Sequence, residues 1–135
     1  MFIQPDISIL AVLAGGIIVM IVGSLWYTPR TFFNTWAREQ GKNPNDIKPN
    51  PAVFGYMFIG ALIQSYVLAN IVRAFGANSF VSGALLGALI WFGLIATTMI
   101  GNYQFAGRSW KLYGIDAGYY LVTFVLLSML HSVWM

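Results

Sequence analysis

Four long apolar runs, separated by shorter polar segments, set the pattern of this chain: Ile7 to Tyr27, Ala52 to Phe75, Ser79 to Ile100 and Leu112 to Trp134. Their interiors carry no charge except Asp116, near the start of the last. A hydrocarbon core about 30 Å thick needs roughly 20 apolar residues of helix at 1.5 Å each. Each run is therefore long enough to cross a bilayer. The pattern predicts an all-α polytopic membrane protein, with four transmembrane helices in an antiparallel bundle and a single membrane domain over residues 1–135. No room is left for a soluble domain. Asp6 stands where a signal peptide would carry basic residues, and Gly-Ser-Leu-Trp-Tyr is no small-residue cleavage site, so the first run reads as a retained helix.

The one long connector runs from Thr28 to Pro51. Thr28 can cap a helix that has Pro29 in its first position, and Gly41 can end it. Within it Phe32, Phe33 and Trp36 recur at helical spacing among Arg30, Arg38 and Glu39. That predicts a short amphipathic helix over about 29–40, lying in the membrane interface. The return to the second span is polar and punctuated by prolines. Gly76, Ala77 and Asn78 alone join the second and third spans, which predicts a tight hairpin.

Charge orients the chain. Arg30, Arg38, Lys42 and Lys48 in the first connector and Arg108 and Lys111 in the third put six cations on one side, against Arg73 on the other. The positive-inside rule then places both connectors in the cytoplasm and both termini outside. In a bacterium this would be the inner membrane. Trp26, Tyr27, Trp36, Tyr103 and Trp110 would form the cytoplasmic aromatic belt, with Phe32 and Phe33 as further anchors.

Composition agrees with a lipid solvent. The chain is 59% hydrophobic and 8% charged, with a mean hydropathy of +0.72, too apolar for a soluble surface. A net charge of +3 raises the question of nucleic acid, but the cations are scattered at helix ends. Anionic lipid headgroups are the expected partner, with no nucleic acid. The absence of cysteine excludes disulfides, thiolate metal sites and a thiol nucleophile.

Candidate chemistry is sparse. Gly15 and Gly23 belong to a small-residue stripe on the first span, and Gly83 and Gly87 form a GxxxG on the third. Such stripes let backbones approach closely, within one bundle or between protomers. Asp116 reads either as a proton carrier or cation ligand, or as a first-turn acid that favours the helix dipole and pairs with Arg108 or Lys111. Tyr120 and Thr123 follow it on roughly the same face, and His131 falls about 60° off that stripe. Were the face to turn inward, the polar path to His131 would be about 22 Å long. A histidine in the last turn is more often an interfacial residue. Gln64 and Ser65, in the middle of the second span, and Asn102 and Gln104, beyond the third, complete the polar set. Gln64 must find a partner, as interhelical glue or in a ligand site. The single histidine and the dispersed acids Asp6, Glu39, Asp46 and Asp116 suggest no metal centre and no catalytic triad. No cofactor is expected.

Taken together, Trp26-Tyr27-Thr28-Pro29, Phe32-Phe33, Trp36, Asn102-Tyr103-Gln104-Phe105, Arg108, Lys111-Leu112 and Ala117-Gly118-Tyr119 resemble the small bacterial membrane proteins called domain of unknown function seventeen-sixty-one. The resemblance covers nearly the whole chain. It implies a four-helix membrane bundle and no particular activity. The family's usual Asn at the position of Asp116, and His at that of Tyr120, differ here, so it lends no support to a shared proton relay through Asp116.

Two functions remain open. One is a non-enzymatic homo-oligomer that binds or passes a small solute or lipid through Gln64, Asn102, Tyr103, Asp116 and Tyr120. The other is a membrane scaffold that docks a partner on Phe32, Phe33 and Trp36. A lipid-modifying enzyme using Asp116 or His131 is a third, weaker reading.

Overall fold

A computed structural model describes residues 6–48 and 50–134, so Pro49, within the proline-punctuated return, lies outside the described residues. Among them every regular element is helical. Ser8 accepts from the Ala11 amide to open α1 (Ile9–Trp26). The expected N-cap role of Thr28 is not observed: α2 spans Phe33–Glu39 and Phe32 caps it without a side-chain bond. Residues 28–32 instead close the end of α1, whose last carbonyls lack helical donors. The Thr31 hydroxyl lies 2.8 Å from the Leu25 carbonyl and 2.5 Å from that of Trp26. Gly41, at φ +73°, ends α2. A 3₁₀ turn at Pro44–Asp46 follows, and Asn50 with Pro51 opens α3 (Pro51–Ala74).

Ser79 and Ser82 form a capping box at the head of α4 (Phe80–Ile90). The third span does not stop at Ile100. It passes through a π-helical turn at Trp91–Ala96 and continues as α5 (Thr97–Phe105). Asn102 and Gln104, expected just beyond the span, therefore lie on its last turns, with Tyr103 between them. Gly107, at φ +69°, makes the stop, and Ser109 caps α6 (Trp110–Val133). Among the described residues four helices, counting α4 to α5 as one, are long and apolar enough to cross a membrane.

The central element is α6, which packs against α1, α3 and α4. Ten of its 24 residues are buried, against five of 18 in α1 and six of 24 in α3. A protein in water would not leave Ile9, Leu10, Tyr56, Leu85 and Phe92 exposed on its outer faces; lipid accommodates them. Between α1, α3 and α6 lie Val19, Ala61, Leu68, Tyr119, Phe124 and Leu127.

The glycine stripes lie at these contacts. Gly15 of α1 faces Ser65 of α3 and Leu127 of α6, and Gly23 faces Tyr119. A Cβ on Gly83 would come within 2.6 Å of the Ser128 carbonyl oxygen, and one on Gly87 within 2.6 Å of that of Phe124. The GxxxG pair thus seats α4 on the backbone of α6 within one chain.

Candidate functional site

Asp116 is 8% exposed, one and a half turns into α6. Its neighbours on either side are fixed by indoles from two other helices. Trp26, the last residue of α1, donates its Nε1–H to the Ile115 carbonyl at 2.9 Å. Trp91, the first residue of the π turn, donates to the Ala117 carbonyl at 2.8 Å. Tyr113 donates to the Ala96 carbonyl at 2.8 Å, tying the far end of the π turn to α6. The extra residue per turn in a π segment locally changes which side chains face a partner, and here the segment carries two of the contacts to α6. Gly118 makes room for Trp26, whose ring carbon would stand 3.2 Å from a Cβ there.

Between these clamps the carboxylate accepts two phenolic hydrogen bonds. Tyr27 donates to Oδ1 at 2.6 Å and Tyr103 donates to Oδ2. Tyr27 arrives from the C-cap of α1 and Tyr103 from α5, so three segments distant in sequence meet at one acid. The expected pairing with Arg108 or Lys111 does not form; among the described residues the one ion pair joins Arg73 to Asp6. Arg108 instead lies over the Tyr103 ring, 5.1 Å from its centroid. It reaches the acid only through the phenol.

Aromatic rings form the floor of the site. Tyr27 meets Tyr119 edge-on at 5.4 Å and Trp36 at 5.9 Å. Trp36 stacks on Phe33 at 6.0 Å, and Phe32 lies 4.9 Å from Trp26. The aromatic side of α2 is thereby turned largely onto the protein. Tyr120 is half-buried one turn beyond Asp116, its ring 5.3 Å from Tyr119.

The other candidate residues lie apart. Asn102 is exposed and makes no side-chain hydrogen bond among the described residues. Gln64 is half-exposed, and its helical neighbour Ser65 meets His131, roughly 22 Å along α6 from Asp116. Ser65 is fully buried, and its hydroxyl lies 3.0 Å from His131 Nε2. This second polar contact joins α3 to α6. The continuous path from Asp116 to His131 is interrupted by the core residues Phe124 and Leu127.

Sequence reasoning missed the roles of Trp91 and Tyr113. Their only signal was an aromatic residue with a polar tip inside an apolar run, which must find an acceptor when buried. Nothing in the local sequence marks the π turn.

The fold and the site define an all-helical protein with four membrane-length helices and a carboxylate buried between two tyrosines. Residues 10–132 match the family described as protein of unknown function (DUF1761), and the chain belongs to that family. No curated protein and no solved structure matches it.

Proposed function

We propose that this is a non-enzymatic integral membrane protein, assembled as a homo-oligomer, that binds or passes a small solute or lipid at the Asp116 site. The four spans form an antiparallel bundle in the inner membrane of a bacterium. Its termini face outward, and α2 lies in the cytoplasmic interface beside the basic first and third connectors. The observation that carries the reading is a buried carboxylate with no cation against it, held by Tyr27 and Tyr103. A polar group placed at such expense inside an apolar bundle is a functional group by default. Two phenols occupy part of its lone-pair capacity and leave sites for a proton or a polar ligand.

Native mass spectrometry of protein released from lipid nanodiscs tests this. The parent should carry a bound mass that Asp116→Asn loses. A bare parent, identical to the variant, would end the reading and favour the scaffold. The aromatic side of α2 offers the scaffold little, because Phe33 and Trp36 pack on each other and on Tyr27.

Self-association rests on Gln64. Gln64 is half-exposed on a span, and its side chain makes no hydrogen bond among the described residues. An unsatisfied amide in hydrocarbon costs several kcal/mol, and the same residue of a second copy can satisfy it. Gln64→Leu is expected to reduce the stoichiometry seen in the same spectra. An unchanged oligomer would remove Gln64 from the interface.

A further inference from the structure

A second polar feature lies outside the Asp116 site. Between the end of α2 and the 3₁₀ turn is a cleft of about 360 Å³ lined by Asn34, Arg38, Lys42, Asn43, Pro44 and Asn45. Its walls carry one guanidinium, one ammonium and three carboxamides, and no carboxylate. Glu39 and Asp46 are adjacent in sequence, yet neither forms an ion pair with Arg38 or Lys42. Among the described residues both cations are therefore free. Two of the amides have structural roles: Asn43 accepts from the Asn45 backbone, and Asn34 reaches the Pro29 carbonyl at 3.5 Å. The Asn45 side chain makes no hydrogen bond among the described residues.

The position of the cleft narrows its ligand. The segment that builds it is bounded by the end of one membrane-length helix at Trp26 and the start of another at Pro51, so its reach from either is short. Phe32, 38% exposed, and the aromatic side of α2 lie on the same segment. Paired unneutralised cations with amide donors suit a phosphate, and a phosphate at this level belongs to a lipid.

We propose that the Arg38–Lys42 cleft binds the phosphate of an anionic phospholipid at the membrane surface. The guanidinium grips the phosphate oxygens, the Lys42 ammonium supplies a second charge, and the acyl chains run past Phe32 into the bilayer. This site is independent of the Asp116 reading.

The test uses the full chain in nanodiscs of phosphatidylcholine doped with phosphatidylglycerol, with retained lipid read by native mass spectrometry. A charge-assisted hydrogen bond made in a formed site contributes about tenfold or more to binding. Arg38→Gln with Lys42→Gln should therefore lower phosphatidylglycerol retention at least about tenfold. Arg30→Gln with Lys48→Gln removes the same charge outside the cleft and should leave most of the retention intact. Equal loss in the two pairs would overturn the site in favour of diffuse surface charge. Asn45→Asp, which places a carboxylate in the cleft while keeping both cations, should also expel the lipid; unchanged retention would overturn the proposal. Inorganic phosphate added to the detergent-solubilised protein should fail to displace phosphatidylglycerol. Displacement at millimolar phosphate would make the ligand a soluble anion and overturn the lipid assignment.

Discussion

Gly87→Ala is expected to lower the unfolding free energy of the detergent-solubilised protein by about 2 kcal/mol, the usual range for forcing atoms into a filled interface. The added methyl would meet the Phe124 carbonyl oxygen at 2.6 Å. A backbone oxygen cannot swing aside as a side chain can, so α4 and α6 must separate. Gly83→Ala should behave alike, because its methyl meets the Ser128 carbonyl at 2.6 Å. Gly60→Ala and Gly101→Ala, on the other hand, would meet nothing within 4 Å. They should be neutral or stabilising by up to about 1 kcal/mol, the helix propensity difference between the residues. Unfolding followed by circular dichroism in increasing dodecyl sulfate separates the two signs. Destabilisation of all four by the same amount would mean that glycine is needed for some reason other than this interface.

The second large effect concerns the Asp116 cluster. A hydrogen bond to a charged group contributes about 1.5–3 kcal/mol, and a buried hydroxyl left without an acceptor costs about 1–3 kcal/mol. Asp116→Leu strands the hydroxyls of Tyr27 and Tyr103 and should destabilise by about 3 kcal/mol. Tyr27→Phe should cost about 2 kcal/mol by depriving the carboxylate of a donor. The changes must not add. Once Asp116 is leucine, Tyr27→Phe and Tyr103→Phe remove stranded hydroxyls, and the triple variant should regain much of the lost stability. Such a variant, stable yet empty of bound ligand, would show that the polar cluster serves binding and not folding. Free energies that add to within about 0.5 kcal/mol would mean the three groups do not interact.

These two experiments probe features of different visibility in the sequence. Gly83 and Gly87 are legible as a pair because a spacing of four puts both on one face of any helix. Which helix they meet is not legible: Phe124 and Ser128 carry no complementary mark. Asp116 stands out as the one acid inside an apolar run. Its partners do not, since Tyr27 lies 89 residues away, and the nearer cations Arg108 and Lys111 were the more obvious choice by separation alone. The helical path drew them off the acid, leaving Arg108 over the Tyr103 ring.

The length and apolarity of the runs by themselves determined that the chain is helical and has four membrane-length runs, because the thickness of a bilayer and the rise of a helix fix that count without reference to packing. Capping residues such as Ser8, Asn50, Ser79 and Ser109 act within one turn of their own helix, so helix starts were also largely local. The tertiary structure alone decided that α6 lies at the centre, that Thr28 and Thr31 close α1 instead of opening α2, and that the third span continues through a π turn. It alone turned Trp26 and Trp91 onto the carbonyls beside Asp116 and brought Tyr27 and Tyr103 to its carboxylate. In an apolar interior a donor is stabilised by finding an acceptor, and the choice among acceptors depends on which helices are neighbours, a property no single segment carries.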